Sequence, residues 1–223
     1  LCKIAPFVID DAKENIMLFI WGKRNYGAIE RVGNISVQTR FGHLWFLPLF
    51  PTASYYVDTK AKAAWQLKRI NWRSVAFGYA RVWLPVVAVL ALLIARAEDS
   101  SSGALAAAII GVLAIAAVIA TYWYERRPLP LGTAQPRAMM ERHFGAAVDP
   151  YHCRESLHET IDSKRQAASA ETLHPAWYKQ EMQDLFIDKA ALELALLRAR
   201  CDRTDAALQQ QVLEKMLKPA SLV

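Results

Sequence analysis

Apolar positions along this chain are gathered into long runs rather than spread evenly, and the two longest are nearly uninterrupted. Gly103 to Tyr124 (GALAAAIIGVLAIAAVIATYWY) carries no charge, and as a helix it would rise about 33 Å, enough to cross a bilayer's hydrocarbon core. Val75 to Ala95 (VAFGYARVWLPVVAVLALLIA) is of similar length, with Arg81 as its single charge and Pro85 inside it. The pattern predicts two membrane-crossing helices at 74–96 and 103–124, joined by a polar turn at 97–102 (AEDSSS). Neighbours or water can satisfy the carbonyl that Pro85 frees, and Arg81, near the start of its run, is expected to extend toward the headgroups as an interface anchor. Core helices of soluble proteins are rarely uncharged on every face over such a length. The runs begin some 75 residues into the chain, with no signal-peptide pattern before them, so both are expected to remain in the mature protein.

Upstream the pattern changes to short β-rich runs punctuated by turn residues: MLFIW, a turn at GKRNYG, AIERV, a Gly33-Asn34 turn, ISVQTRF, HLWFLPLF, SYYV and AWQLKRI. This predicts a small β meander or SH3-like barrel. Pro48 and Pro51 assign the HLWFLPLF run to a sheet edge or an extended corner, because proline donates nothing to a ladder. A body this small is marginal alone and is expected to lean on the membrane or on the rest of the chain.

Downstream, Glu125 to Gly132 (ERRPLPLG) reads as a stop and a stiff linker. Helices are expected at 136–144, 149–166, 175–201 and 204–218, with Thr204 as cap of the last. Within the long third one, Tyr178, Met182, Leu185, Phe186, Leu192 and Leu196 recur at helical spacing while Lys179, Glu181, Asp184, Asp188 and Glu193 fall on other faces, the mark of an amphipathic helix packed in a small bundle.

Charge sharpens this division. Net charge is +6 over 223 residues, yet Met17 to Arg81 has ten basic residues against only Glu30 and Asp58, whereas Glu125 to Val223 is balanced. Lys60, Lys62, Lys68, Arg69, Arg73 and Arg81 precede the first apolar helix, Arg126 and Arg127 follow the second, and only Arg96 stands near the turn beside Glu98 and Asp99. By the positive-inside rule both termini are cytoplasmic. These residues are the candidate topology and headgroup contacts with an anionic inner leaflet, each worth about 1 kcal/mol close to the surface. Ala107, Gly111 and Ala114 make a small-residue stripe where another backbone can approach; the first helix of the same chain is preferred to a homodimer partner.

At Phe19-Ile20-Trp21-Gly22-Lys23-Arg24, at Arg40-Phe41-Gly42-His43-Leu44-Trp45-Phe46-Leu47-Pro48-Leu49-Phe50-Pro51-Thr52, and at Ser54-Tyr55, the chain resembles a group of uncharacterised bacterial membrane proteins with two membrane helices. Its FLPLFPT stretch is also similar to the tail of small bacterial zinc-ribbon proteins. Their paired CxxC knuckles are missing, since no cysteine lies between Cys2 and Cys153, so no zinc ligand carries over. The resemblance implies a membrane address and no activity. It sets the natural start at Met17, which makes residues 1–16 an expected extension.

Little chemistry is proposed by the remaining residues. Three cysteines form no disulfide framework and no zinc knuckle. His143, His152, Cys153 and His158 lie close in sequence, but Cys153 and His158 are five apart and would face apart on a helix. His43 is read as a structural residue of the β module. The chain contains no P-loop, dinucleotide fingerprint, GxSxG elbow or HExxH. Nucleic-acid binding is the rival reading of a basic, aromatic-rich β module; it ranks below lipid because the basic residues cluster toward the bilayer and no RNP-like or GXXG signature is present.

The sequence therefore predicts a membrane protein of α+β class: an extension at 1–16, a basic β module at 17–73, a two-helix transmembrane hairpin at 74–124, a linker at 125–135 and a C-terminal cytoplasmic helical domain at 136–223. The expected function is that of a non-enzymatic scaffold or accessory subunit of a membrane assembly, without catalytic residues, cofactor or metal, in the bacterial inner membrane. Its expected partners are anionic lipid and either another protein or a second copy. The alternatives are a membrane-tethered regulator recruiting a soluble partner through its C-terminal helices, and a cysteine-less zinc-ribbon-like module binding anionic lipid or nucleic acid.

Overall fold

A computed structural model describes residues 7–8, 21–154, 156–169, 173–184, 188–202 and 205–217. The described chain forms two compact units, divided between Pro128 and Leu129. It is α+β, with an antiparallel sheet followed by helices.

In the first unit a sheet precedes two long helices. After the two-residue strand β1 (Phe7–Val8), the strands are β2 (Trp21–Val32), β3 (Ile35–Leu44), β4 (Leu47–Asp58) and β5 (Ala63–Gln66), in the order β1-β5-β4-β3-β2. The pairing is an open meander rather than a closed barrel. The Gly33-Asn34 turn joins β2 to β3 as the sequence predicts. The expected turn at GKRNYG is absent, because β2 runs straight through it. Its glycine serves as an irregularity instead: Gly27 adopts φ +67° where the register shifts between Tyr26 and Ile29, the left-handed backbone of a β-bulge. The expected HLWFLPLF strand is likewise cut in two by a turn at Trp45-Phe46. Both prolines then lie in β4 where it extends past the Tyr55 to Asp58 stretch that pairs with β5, each beside a register irregularity with β3; among the described residues that portion of β4 has a neighbouring strand on one side only, a place where proline is tolerated.

Along β3, Val37, Thr39, Phe41 and His43 alternate onto one face and are fully buried. The first long helix, α1 (Trp72–Ala97), lies on that face. Asn71 caps it by accepting from Arg73 and Ser74 N–H. Ser54 accepts from the Asn71 N–H at 2.9 Å, and Ser74 Oγ donates to the Gly27 carbonyl at 2.7 Å. A Cβ on Gly27 would stand 1.9 Å from the Ser74 carbonyl oxygen, so only glycine permits this approach. Helix α2 (Ser101–Glu125) begins at the Ser100 cap and packs back along α1. Ala107, Gly111 and Ala114 are buried on α2 and Ala88 and Ala91 on α1, with the Cα of Gly111 facing Leu92 and the Ala88 carbonyl. Pro85 is inside α1.

The second unit contains α3 (Leu131–Phe144), α4 (His158–Ala168), α5 (Trp177–Gln183), α6 (Lys189–Asp202) and α7 (Ala206–Leu217). Three expected helices are corrected. The first starts at Leu131 rather than Pro136, inside the supposed linker, with Pro136 a buried interior residue. Residues 149–154 form turns and a bend rather than helix, because the Asp149 carboxylate and carbonyl take the Tyr151, His152 and Cys153 N–H groups, and α4 begins only at His158. The long helix at 175–201 ends at Gln183, where Asp184 turns extended, and α6 starts afresh with Asp188 Oδ2 accepting from the Ala190 N–H. Leu185 and Phe186, assigned to its apolar stripe, are outside the described residues, as is Thr204; Asp205 caps α7 by accepting from the Leu208 N–H. Helix α6 forms the core of the unit, with Leu194, Ala195, Leu196, Leu197 and Ala199 buried.

Candidate functional site

Both long helices are apolar enough to cross a membrane, and only 17% of the most apolar 18-residue window of each is buried. Their outward faces expose Val89, Leu93 and Ile94 on α1 and Leu105, Ile109, Leu113 and Ile119 on α2. A soluble core helix would cover these side chains, and a bare apolar surface of this extent marks a site of contact with lipid or protein.

One end of this apolar surface is closed by a polar junction. Arg81 Nη2 donates to Glu125 Oε2 at 2.8 Å and to the Thr121 carbonyl at 3.2 Å, Nε donates to Thr121 Oγ1 at 3.2 Å, and Nη1 to the Ala28 carbonyl at 3.0 Å. The guanidinium also lies over the rings of Tyr122 and Phe77. Arg31 approaches the other Glu125 oxygen at 3.3 Å from solvent. One arginine therefore ties α1, the end of α2 and strand β2 together. The sequence reading sent Arg81 to the headgroups; in the structure its donors are engaged by protein oxygens.

A second feature is at the tip of the β3–β4 hairpin. Trp21, Leu44, Trp45, Phe46, Leu49 and Phe50 are exposed there as a group. Tyr79 Oη donates to the Leu49 carbonyl at 2.6 Å and Trp83 Nε1 to the Pro48 carbonyl at 3.1 Å, so the tip points along α1 toward its apolar half. The turn residues Trp45 and Phe46 both have positive φ, 49° and 65°, a conformation that two-residue hairpin turns usually give to asparagine and glycine. Behind the tip, His43 is fully buried with Phe46 stacked parallel to its ring at a 6.0 Å centroid distance. Neither ring nitrogen has a hydrogen-bond partner among the described residues. Burial, aided by the nearby Arg24 charge, pushes the His43 pKa below its ordinary value. Burial also raises the Tyr26 phenol, with Arg24 opposing.

The other predicted lipid contacts are spread out. Lys60 and Lys62 lie within the β4–β5 turn, at the end of the sheet opposite Trp45-Phe46, because Asp58 pairs with Ile35 while Leu47 pairs with Leu44. Lys68, Arg69 and Arg73 surround the Asn71 cap and are exposed; Arg73 precedes Arg81 by about 12 Å of helix rise. Arg126 and Arg127 follow α2, and Arg127 lies over Trp123 and Tyr124.

In the second unit several ionisable residues are joined in pairs and triads. Asp149, fully buried, meets Arg200 through two hydrogen bonds of 3.0 and 2.6 Å. Glu193 takes Arg142 and His143, the latter at 2.8 Å. Arg198 meets Asp162 and Asp202; burial opposes its charge, but the two carboxylates together raise its pKa. His158 reaches Asp202 at 3.1 Å, His152 packs edge-on to Tyr151, and Cys153 is buried. The four residues that were close in sequence thus have separate surroundings. A cleft of about 340 Å³ opens between α3, α6 and α7, with Arg142, Lys189 and Glu193 among its lining groups.

No protein-family model matches the chain, and no curated protein or solved structure matches it either. The tip has no local sequence signal: its aromatic residues have the composition of a strand, and only the turn at Trp45-Phe46 brings them out.

Proposed function

We propose that this chain is a non-enzymatic integral membrane protein of the bacterial inner membrane, with both termini in the cytoplasm, acting as a scaffold or accessory subunit of a larger membrane assembly. The observation that carries the reading is the pair of packed helices with uncovered apolar faces. In hydrocarbon those faces meet a matching solvent, and backbone bonds are made within each helix apart from the one that Pro85 removes. Basic residues 60–73 and 126–127 all lie toward the Arg81–Glu125 end of the hairpin, while Arg96 at the other end is offset by Glu98 and Asp99, which supports a cytoplasmic placement of that end. The ionisable side chains tie elements to one another, which is structural work and fits a subunit better than a catalyst.

The partners of this reading are anionic inner-leaflet lipid and a second membrane protein or a copy of the same chain. The cleft beside Arg142 and Lys189 favours one other reading, a membrane-tethered regulator that recruits a soluble protein. Membrane fractionation and protease treatment of oriented vesicles test the address. The chain is expected in the carbonate-resistant membrane fraction, with the second unit cleaved only from the cytoplasmic side; a soluble monomer, or cleavage from outside, overturns it. Purification in mild detergent tests the role: a stoichiometric membrane partner supports the subunit reading, and a soluble one supports the recruiter.

A further inference from the structure

We infer that the tip of the β3–β4 hairpin is an interfacial lipid anchor, with Trp45 and Phe46 seated between headgroups and acyl chains of the leaflet where α1 and α2 enter the bilayer. This rests on the membrane reading above and adds a second, non-helical contact with the same lipid.

The depth of the tip follows from what holds it. Successive contacts run in one direction along α1: Asn71 with Ser54, Ser74 with Gly27, Gly78 and Tyr79 with the Phe41 ring, then Tyr79 with Leu49 and Trp83 with Pro48. Arg81 lies between Tyr79 and Trp83 in this series and is bonded to Thr121 and Glu125, so the tip shares a level with Tyr122, Trp123 and Tyr124 of α2, all exposed. That level is the boundary between the uncharged runs and the first charges, where tryptophan and tyrosine prefer to sit.

The chemistry of the tip suits that zone. Trp45 is 65% exposed although it is large and apolar, and it occupies a backbone conformation that disfavours bulky residues. Water rewards neither property, whereas the boundary region takes an aromatic body on its apolar side and leaves polar edges hydrated. Lys23, Arg24 and Arg40 lie on the adjoining strands, no carboxylate occurs between Arg31 and Val57, and the Arg24 guanidinium stands 5.6 Å from the centre of the Phe46 ring. Cations behind aromatic groups match phosphate headgroups above acyl chains. A protein partner would have to share the level at which the helices already meet lipid, so lipid is the occupant that continuity favours.

Nitroxide labels on single cysteines of the full chain test this, with Cys2, Cys153 and Cys201 replaced and the protein reconstituted into phosphatidylethanolamine–phosphatidylglycerol vesicles. Labels at Trp45→Cys and Trp21→Cys are compared with Leu113→Cys on the exposed face of α2 and Lys60→Cys at the opposite end of the sheet. The expected result is oxygen access at Trp45 and Trp21 severalfold above that at Lys60, with access to an aqueous nickel chelate below that at Lys60 and above that at Leu113. Labels at 45 and 21 as aqueous as the one at 60, while that at 113 remains in hydrocarbon, overturn the anchor and leave the spans intact. Shielding of both tip labels from oxygen and nickel alike also overturns it, because a protein then covers the tip. An aqueous label at 113 overturns the membrane reading itself, and the anchor with it.

Discussion

Arg81 on the first long helix and Glu125 at the end of the second meet at 2.8 Å with side chains only 11% and 13% exposed. Removal of either partner leaves a charge in a poorly hydrated junction, which costs far more than the net worth of the pair. Arg81→Met is expected to destabilise the first unit by about 3 kcal/mol, and Arg81→Met with Glu125→Gln by clearly less than the sum of the single changes. Arg31→Ala, at the exposed side of the same carboxylate, should cost under about 1 kcal/mol. Thermal unfolding in mild detergent reads these three variants and the Glu125→Gln single; additive single effects would remove the coupling.

Gly27 and Gly111 are both close-approach glycines, yet their neighbours differ. The Cβ of alanine at 27 would meet the Ser74 backbone at 1.9 Å, whereas at 111 it would meet the Leu92 side chain at 3.1 Å. A backbone cannot yield and a leucine end can. Gly27→Ala should therefore lift α1 from the sheet at a cost on the order of 4 kcal/mol, while Gly111→Ala costs about 1 kcal/mol. Unfolding midpoints of the two variants check the contrast, and equal losses would contradict it.

His43 gives the first unit a dependence on pH. Its folded pKa is depressed by burial and by Arg24, so above the unfolded value near 6.5 both states are neutral and stability is full. As pH falls below that value the unfolded chain takes a proton that the folded one refuses, and stability declines until the lower folded pKa is reached. The unfolding temperature of the wild type should fall between pH 7.5 and pH 5. In His43→Leu that dependence should shrink, with little loss at pH 7.5, since both ring nitrogens lack partners. An unchanged slope in the variant would assign the effect elsewhere.

In the second unit, the fully buried Asp149 carboxylate has Arg200 as its cationic partner. Arg200→Ala should cost about 3–5 kcal/mol and open residues 129–223 to limited proteolysis at a protease dose that spares the wild type. Asp149→Asn with Arg200→Met should recover part of the loss. No recovery would mean that lost packing of the Arg200 side chain, rather than an unpaired carboxylate, causes the damage, because asparagine keeps an Oδ1 to accept from the Tyr151 N–H.

Much of the layout was legible because its signals are local. The Gly33-Asn34 turn and both long helices are where the pattern predicts them, and the prolines of β4 occur only where an edge is free. The misread elements share one cause, competition between a residue's local preference and distant partners. GKRNYG has the composition of a turn, but Gly27 is used to let Ser74 approach. Asp184 and Asp188 look like the polar face of a long helix, yet their carboxylates and backbone end one helix and begin another. The Trp45-Phe46 turn was invisible because neither residue favours positive φ; pairing of Leu44 with Leu47 imposes it.

What the sequence determined by itself is the pair of long apolar runs, their order, and the placement of basic residues around them, since the length and charge of a run do not depend on what folds against it. Only the tertiary structure decided that Arg81 faces Glu125 and Ala28 rather than solvent, and that six apolar side chains gather at one hairpin tip beside Trp83. Those relationships join residues 30 to 53 positions apart, and no local periodicity carries them; they arise when burial of one face leaves each polar group to find the nearest partner.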